Sequence, residues 1–452
     1  MELKDKQVLV VGSGLSGVAA TKLLKKVGAF VTIYDSNANV EKDDVLKKFD
    51  EKVEFDTIFG EISKEQMANM DLVVLSPGVP TDLPFVNEFR TMNTPIWGEI
   101  ELAYNFAKGK VVAITGTNGK TTTTALTGSI MEAHFASSFV VGNIGTPYTD
   151  MALQTKEDSV TVAEISSFQL ETIHEFHPKV SAILNITPDH LNRHHTMENY
   201  INTKISITRN QTEEDACILN YEDEELRKAA KNIPAKVIFF SSKSELEEGL
   251  FLRKDEIIAK FDGKEEVICN IHELKLLGAH NYENIMAAVG MAMKMDVPMD
   301  IIKKTIKEFK AVEHRIEYVD TINDVKYYND SKGTNPDAAI KAVQAMITPT
   351  IVIGGGYDKE SSYEEWIASF GDKVRYLVLL GQTKDKIAKT AKKMGFSNIV
   401  MVETLKEAVE ESTKLANKGD SILLSPACAS WGMFKNFEER GDMFKQYVNE
   451  LK

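Results

Sequence analysis

A short glycine-rich segment, "GTNGKTTT" over residues 116–123, contains residue types that bind phosphate. The usual phosphate-binding loop is G-x-x-x-x-G-K-[S/T], whereas only two residues separate Gly116 from Gly119 here. The apolar run "VVAIT" precedes the loop, and a helix is predicted to begin near Gly119. Backbone N–H groups at such a helix start attract anions, Lys120 can reach terminal phosphates, and Thr121 can hold Mg²⁺. The sequence therefore favours an ATP site over an ordinary glycine turn.

A second glycine loop, "VLVVGSGLSG", places Gly12, Gly14 and Gly17 in the G-x-G-x-x-G spacing. Asp35 ends the next predicted strand, where a dinucleotide-binding fold carries its ribose-binding acid. Taken alone, this pattern predicts NAD. The unit is too short for the full dinucleotide sheet, and the chain has a separate phosphate loop, so a nucleotide-containing substrate fits better. "SPGVP" over residues 76–80 is equally consistent with a second anion-binding turn and with a plain Pro-Gly turn.

Possible metal ligands follow predicted strands in the middle of the chain. Glu164 lies in "AEISSFQLE", and Asp189 and His190 lie in "NITPDHLNRHH". Each is more often structural when taken singly, but together, near an ATP loop, they predict a site for Mg²⁺ or Mn²⁺. Lys204, on a predicted helix, is an unusual neighbour, because an ammonium is repelled by Mg²⁺ unless it contacts phosphate or has lost its charge.

Further polar side chains collect at a predicted helix start and in loops of the last third. They could contact a nucleotide or an incoming substrate, or they could form a helix cap and a solvated turn. They are His280, Asn281 and Asn284 in "GAHNYENIMAA", Arg315 in "HRIEYV", and Asp330, Lys332 and Thr334 in "YYNDSKGTNPDA".

Composition limits the possible functions. The net charge of -14, with no long basic run, argues against a protein that binds nucleic acid or anionic membranes non-specifically. The 3 cysteines are scattered without a C-x-x-C pair, which fits a reducing compartment. We find no apolar stretch of membrane-spanning length and no signal peptide at the N-terminus. These features predict a cytoplasmic protein with small-molecule partners.

The elements that must position these residues alternate between short apolar strands and helical patterns, which predicts the α/β class. At 452 residues the chain has room for about three domains. We place a Rossmann-like domain at 1–97 and a central domain with a P-loop ATPase-like parallel sheet and an extra β-rich stretch at 98–311. A second Rossmann-like domain follows at 312–452. Strand ends of parallel sheets meet at shared clefts, so the site is expected at these edges.

Several motifs together resemble the Mur ligases, the ATP-dependent amide ligases of peptidoglycan precursor synthesis. "GTNGKTTT" is similar to that family's short phosphate loop, and the resemblance covers the whole chain. "AEISSFQLE", "NITPDHLNRH", "YYNDSKGTNPDA" and "SPACASWGMFKNFEERG" resemble the subtype that adds D-glutamate to UDP-N-acetylmuramoyl-L-alanine. The resemblance implies a monomeric enzyme of cell wall synthesis that uses ATP and Mg²⁺ at two sites.

The resemblance also implies which residues form each part of the site. Lys120, Lys204, His190 and Glu164 would be catalytic. ATP would be bound by Gly116, Thr117, Asn118, Gly119, Lys120, Thr121, Thr122, Asn281, Arg315 and Asp330. The metal ligands would be Thr121, Glu164, His190 and Lys204 as a carbamate. The UDP substrate would be bound by Leu15, Ser16, Asp35, Ser76, Gly78 and Asn143. D-glutamate would be bound by Lys332, Thr334, Lys359, Ser430, Trp431 and Phe437.

The chemistry of such a ligase follows from the poor leaving group of a carboxylate. ATP converts the carboxylate to an acyl phosphate, and the amine then attacks through a negatively charged tetrahedral species. Lys120, magnesium and helix N–H groups would stabilise that charge. His190 is one possible base for removing the proton from the amine. A histidine that binds a metal ion would be a poor base, so the identity of the base stays open. Because ATP and D-glutamate are expected on different domains, closure about a hinge near residues 308–314 is predicted.

Two other functions stay open at this stage. One is a related ligase with another substrate, either a folylpolyglutamate-type enzyme or a Mur ligase for another amino acid. The other is a dinucleotide-dependent dehydrogenase or a nucleotide-sensing module.

Overall fold

The structure is a computed structural model that describes residues 2–49, 53–143, 145–276, 278–310, 313–358 and 361–452. Its strands and helices alternate along the chain, so the predicted α/β class is confirmed. Contacts divide the chain into two compact units. The first runs to Ile271 and includes Glu283–Lys307, and the second comprises His272–Tyr282 and Glu308–Lys452.

The first unit opens with a five-stranded parallel sheet whose central strands β1 and β4 are buried on both faces, as is usual in parallel sheets. Its strands are β1 (Gln7–Val11), β2 (Phe30–Asp35), β3 (Asp56–Phe59), β4 (Leu72–Leu75) and β5 (Ile96–Gly98). Its helices are α1 (Leu15–Lys26), α2 (Lys42–Leu46), α3 (Lys64–Ala68), α4 (Pro84–Thr91) and α5 (Glu99–Phe106). The strand order is β3-β2-β1-β4-β5, so β1 and its glycine loop lie at the centre. A β-carbon on Gly17 would lie 2.0 Å from the carbonyl oxygen of Gly12, which explains why the close turn from β1 into α1 needs glycine.

The second sheet of this unit has nine strands. They are β6 (Lys110–Thr115), β7 (Ser138–Gly142), β8 (Val160–Glu164), β9 (Val180–Ile183), β10 (Ala216–Asn220), β11 (Lys236–Ser241), β12 (Gly249–Arg253), β13 (Glu256–Phe261) and β14 (Lys264–Asn270). The helices are α6 (Lys120–His134), α7 (Tyr148–Met151), α8 (Ser167–Leu170), α9 (Leu191–His194), α10 (Met197–Ile205), α11 (Glu224–Ala229), α12 (Ala279–Lys294) and α13 (Met299–Glu308). The start of α12, up to Tyr282, and the last residue of α13, Glu308, are assigned to the second unit. The strand order is β14-β13-β12-β11-β10-β9-β6-β8-β7, parallel from β7 to β12. β13 and β14 pair antiparallel, in agreement with the predicted β-rich stretch.

Two buried carboxylates of α5 fasten the first sheet to the second. Glu101 accepts hydrogen bonds from the backbone N–H groups of His174, Glu175 and Phe176, at 2.8, 2.7 and 3.1 Å. The Oε1 atom of Glu99 accepts from the backbone N and the hydroxyl of Thr149, at 2.7 and 2.9 Å. Burial raises the pKa of Glu99. Because charge-assisted hydrogen bonds are the stronger kind, these contacts hold the two sheets as one unit.

The second unit contains a six-stranded sheet. Its strands are β15 (Glu317–Ile322), β16 (Val325–Asn329), β17 (Thr350–Gly354), β18 (Val374–Leu379), β19 (Ile399–Met401) and β20 (Ser421–Leu424). Its helices are α14 (Pro336–Ala345), α15 (Glu364–Ala368), α16 (Lys384–Lys393), α17 (Leu405–Leu415) and α18 (Phe437–Asn449). The order is β15-β16-β20-β17-β18-β19, and only the edge strand β15 pairs antiparallel in this sheet. The carboxyl ends of β16, β20 and β17 therefore lie side by side.

Two further predictions from the sequence concern a hinge and the absence of membrane-spanning helices. Of the predicted hinge at 308–314, residues 311 and 312 lie outside the described residues. Among the helices that the structure describes, none has both the length and the apolar character needed to cross a membrane.

The α5 contacts generate a stability prediction. Glu101→Gln replaces an acceptor-only carboxylate with an amide whose NH₂ group would face backbone donors. We expect the free energy of unfolding of the first unit to fall by about 1–3 kcal/mol, the usual result when buried donors lose their acceptor. Urea unfolding monitored by circular dichroism measures it. The matched control is Glu157→Gln, which breaks only an exposed ion pair with Lys108. Equal stabilities of the two variants would contradict the argument.

Candidate active site

The predicted phosphate loop connects β6 to α6, and α6 begins at Lys120, next to the predicted start. Gly116 has φ 151° and Gly119 has φ 87°, a conformation that other residues rarely adopt. A β-carbon on Gly119 would also lie 2.3 Å from Oδ1 of Asn284. Thr121 and Thr122 complete the first turn of α6. Both glycines are therefore required by backbone conformation and close contact.

Asn185 follows β9, the neighbour of β6 in the sheet, and forms hydrogen bonds to this loop. Its side chain accepts from the N–H of Asn118 at 2.8 Å and donates to the Asn118 carbonyl at 3.1 Å. Its own carbonyl accepts from the N–H of Thr117 at 2.9 Å. The Thr117 hydroxyl lies 3.0 Å from the hydroxyl of Tyr200. Sequence reasoning missed Asn185 and Tyr200, and the only signal for Asn185 was a polar residue directly after the buried run "SAIL".

Two lysine side chains meet at one carbonyl oxygen of the loop. Nζ of Lys120 donates to the carbonyl of Gly116 at 2.8 Å and to that of Thr117 at 3.0 Å. Nζ of Lys204, on α10, donates to the same Gly116 carbonyl at 2.9 Å. Lys204 is only 1% exposed. Burial, and then the charge of Lys120, hold the pKa of Lys204 well below its usual range, which favours the neutral amine.

Glu164 ends β8 beside the phosphate-loop strand, paired in register with Ile114. Its Oε1 accepts from Nδ2 of Asn143 at 2.8 Å, and its backbone carbonyl accepts from the N–H of Asn143. The other carboxylate oxygen, Oε2, is buried and has no hydrogen-bond partner among the described residues. An unsatisfied buried carboxylate oxygen is costly, and a cation would satisfy it. The donor set of Glu164 thus fits a bound metal ion.

His190 lies in the loop after β9, at the start of α9, with φ 52°. Its ring centre is 4.8 Å from that of Phe168, and its backbone N–H donates to Oδ1 of Asp189 at 2.9 Å. The side chain is half exposed and can take a ligand. The phosphate loop follows β6, Asn143 follows β7, Glu164 ends β8, and the loop with His190 follows β9. All four therefore lie at the carboxyl edge of the sheet, as predicted for parallel strands.

A different group of metal-ligand types lies in the second unit. Glu313, His314 and Asp442 are the one cluster of three such side chains within the described ranges. The ammonium of Lys445 lies 3.1 Å from Oδ1 of Asp442 and also pairs with Glu313. This cluster is therefore an ion-pair network with its own cation, and Glu164 and His190 do not form one compact site of this kind.

Five of the six residues expected to bind the UDP substrate lie at the carboxyl edge of the first sheet, and the sixth, Asn143, follows β7 of the second sheet. Leu15 and Ser16 open α1, and the Leu15 side chain is 85% exposed. Asp35 ends β2, and Ser76 and Gly78 follow β4. The hydroxyl of Ser76 is buried and lacks a partner within the part of the chain that the structure describes.

In the second unit, Asp330 follows β16 and is 2% exposed. Its carboxylate accepts from the hydroxyl of Ser425 at 2.8 Å and from the N–H of Ile316 at 3.3 Å. Burial raises the pKa of Asp330 to about 7, although the charge of Arg315 opposes this. Asn281 is buried in the first turn of α12. Asp330, Arg315 and Asn281 belong to the same compact unit.

Of the residues expected to bind D-glutamate, Lys332 and Phe437 are in contact, with Nζ 5.5 Å from the ring centre. Thr334 is in the same loop as Lys332. Trp431 is 54% exposed. Ser430 is buried just before it, and Lys359 lies outside the described residues.

Arg440 is a further residue that sequence reasoning missed. It is 2% exposed and donates to the hydroxyl and carbonyl of Ser331 at 2.9 and 2.8 Å, and to the carbonyl of Cys428 at 3.2 Å. The Ser331 hydroxyl donates to the carbonyl of Phe437. Arg440 thus joins the loops after β16 and β20 to the start of α18.

Comparisons with known proteins agree with this architecture. The family described as Mur ligase MurD-like, N-terminal domain, matches residues 6–98. The Mur ligase middle domain matches residues 114–292, and the Mur ligase glutamate ligase domain matches residues 314–428. The chain belongs to the Mur ligase family, whose members are ATP-dependent ligases, and the predicted three α/β domains in series are confirmed.

Two full-length relatives carry the name of one particular member of that family. Proteins named UDP-N-acetylmuramoylalanine–D-glutamate ligase from Lachnoclostridium phytofermentans and Lachnospira eligens are 59% and 55% identical to this chain. Each match covers 100% of both chains. Among solved structures, MurC from Thermotoga maritima has a TM-score of 0.61 at 20% identity, covering 99% of this chain and 100% of that one. MurF from the same organism, solved with ADP, has a TM-score of 0.60 at 18% identity, covering 100% and 97%. At these identities the two structures support the fold alone.

The raised pKa of Asp330 generates a pH prediction. Between about pH 4 and pH 7 the folded protein holds a proton that the unfolded chain has lost, so this group's contribution to stability falls as pH rises through that window. Asp330→Asn keeps the shape and removes the titration. We expect the variant to gain stability relative to wild type by about 1–3 kcal/mol more at pH 8 than at pH 5. Chemical denaturation at both pH values measures the difference, and a difference independent of pH would count against it.

Proposed function

We propose that this chain is an ATP-dependent ligase that joins D-glutamate to UDP-N-acetylmuramoyl-L-alanine in peptidoglycan precursor synthesis. The observation that carries the proposal is the phosphate loop with Lys120 and Lys204 on one carbonyl, beside the half-satisfied carboxylate of Glu164. Such a site can bind and polarise a triphosphate. The names of the full-length relatives supply the two other substrates.

The substrate carboxylate needs activation because its oxygen is a poor leaving group. The N–H groups at the start of α6 and the ammonium of Lys120 would bind the phosphates and stabilise charge as the terminal phosphoryl group is transferred. The acyl phosphate formed then accepts the amine of D-glutamate, and phosphate leaves. The base that removes the amine proton is not assigned to a residue.

Magnesium, when bound, would neutralise charge on phosphate and acyl oxygens. Thr121 and Glu164 would hold one ion, and His190 and a carbamate on Lys204 would hold a second. Carbamate formation joins the Lys204 nitrogen to the carbon of CO₂ and releases one proton, and it requires the neutral amine that burial favours. The carbamate would turn a repelling cation into a pair of oxygen ligands.

The remaining roles follow the resemblance and stay part of the proposal. Leu15, Ser16, Asp35, Ser76, Gly78 and Asn143 would bind the UDP substrate. Asn281, Arg315 and Asp330 would bind ATP, with Thr117, Asn118 and Thr122 in the phosphate loop. Lys332, Thr334, Lys359, Ser430, Trp431 and Phe437 would bind D-glutamate. We also propose domains at 1–97, 98–311 and 312–452, a monomer, and a cytoplasmic location, where all three substrates would be available.

Release of ADP tests the proposed function. The protein is mixed with ATP, Mg²⁺, UDP-N-acetylmuramoyl-L-alanine and one amino acid at a time. We expect ADP release that requires the UDP substrate and is fastest with D-glutamate, with L-glutamate and D-alanine as controls. Release that requires another amino acid, or none, would replace the proposal with a different ligase or with an ATPase.

Lys120→Ala should lower turnover by a factor on the order of 10²–10⁴, as loss of a key electrostatic group usually does. Its melting temperature should stay near wild type, because Lys120 is only partly buried. The matched control is Lys179→Ala, which removes a lysine of the same domain that contacts Glu214 and Asp215. Near-normal turnover in Lys120→Ala would remove this residue from the mechanism.

Lys204→Ala should be nearly inactive, and added acetate or formate should restore part of its activity by supplying the missing oxygen ligands. Mass spectrometry of native wild-type protein checks the modification separately, through a gain of the mass of CO₂ that acid removes. Absence of both the rescue and the mass gain would be incompatible with the carbamate.

A further inference from the structure

Arg193 connects two parts of the first unit that carry different predicted functions. It lies on α9, three residues after His190. Its guanidinium makes two hydrogen bonds to the carboxylate of Glu171, at 2.6 and 3.2 Å, and both side chains are nearly nine-tenths buried. Nη2 of Arg193 also donates to the carbonyl of Val79 at 2.9 Å.

Val79 belongs to the turn after β4, which contains Ser76 and Gly78. A second contact holds the same turn, because the hydroxyl of Thr81 donates to Glu171 at 3.3 Å. The Arg193–Glu171 pair thus fixes the turn of the first sheet that we propose binds the UDP substrate.

The same guanidinium packs on Phe168 of α8, the ring against which His190 also packs. Its carbon atom is 4.7 Å from the centre of the Phe168 ring, and the His190 ring packs on Phe168 at 4.8 Å. Arg193 and His190 therefore share one aromatic support. Any movement of the turn after β4 that displaces Arg193 also disturbs the packing of His190.

We propose that Arg193 is a positioning residue that couples the turn at residues 76–81 to the His190 loop, so that the UDP substrate and the Mg²⁺-nucleotide bind cooperatively. This inference rests on the proposed function. An arginine suits the role because its planar fork binds a carboxylate through two bonds, donates to a carbonyl and stacks on a ring at the same time. A lysine can make only part of this set.

Isothermal titration calorimetry tests the coupling. The probe is UDP-N-acetylmuramoyl-L-alanine, titrated with and without a non-hydrolysable ATP analogue and Mg²⁺. In wild type we expect the analogue to tighten binding by at least fivefold, a typical coupling factor between two sites. In Arg193→Met the affinities for the UDP substrate with and without the analogue should differ by less than twofold. The affinity of Arg193→Met for the analogue alone should differ from that of wild type by less than threefold. A misfolded variant would lose this affinity.

Arg253 offers a control with the same kinds of contact at a more exposed position, where its side chain is 35% exposed and also pairs with Glu245. It also makes two hydrogen bonds to one carboxylate, that of Glu265, at 2.9 and 3.1 Å, and it lies 5.3 Å from the centre of an aromatic ring, that of Phe251. It sits on β12, away from both loops in the strand order. Arg253→Met should keep the wild-type coupling factor.

Each outcome decides the question. If Arg193→Met fails to fold, Arg193→Lys and Thr81→Val replace it, and both should show coupling below wild type. Coupling that is absent in wild type, or unchanged in these folded variants, overturns the inference and leaves the proposed function intact. Wild-type protein that binds no UDP substrate overturns the proposed function itself, and the inference with it.

Discussion

The middle domain is arranged around one carbonyl oxygen, that of Gly116, which accepts hydrogen bonds from two lysines. Two ammonium groups at one carbonyl oxygen repel each other, and the burial of Lys204 limits the screening of this repulsion by water. The pKa of the more deeply buried amine, that of Lys204, is therefore lowered. This arrangement requires β6 to end at the loop and α10 to bring Lys204 within hydrogen-bond distance of Gly116, whose φ of 151° is one that other residues rarely adopt.

The residues of the site come together because their strands are adjacent in the sheet, although the residues are distant in sequence. β6 has β8 on one side and β9 on the other, so Glu164 and Asn185 approach the phosphate loop from opposite sides. The second unit repeats the principle, with Asp330 and Ser425 in contact after the adjacent strands β16 and β20. In both sheets, parallel pairing gathers the polar residues at one edge.

Much of this was predictable from the sequence, for identifiable physical reasons. The phosphate loop and the strands before it are local patterns, so the start of α6 and the β2 strand were located within a residue. Asn185 and Arg193 could not be assigned roles, because their partners Asn118 and Val79 lie 67 and 114 residues away. The role of Lys204 came only from the family resemblance, since its burial depends on where α10 packs.

The hydrogen bonds that Glu99 and Glu101 of α5 accept have a consequence for synthesis of the chain. Glu101 finds its backbone partners 73 to 75 residues later, and Glu99 finds Thr149 50 residues later. All five strands of the first sheet have left the ribosome by then, so this sheet can form while both carboxylates are still in water. Docking must wait until β8 and the segment that follows it have emerged. A pause in translation after α5 has emerged and before residues 174–176 have done so would thus leave the two carboxylates of α5 without their partners, and chaperones could recognise this uncovered surface.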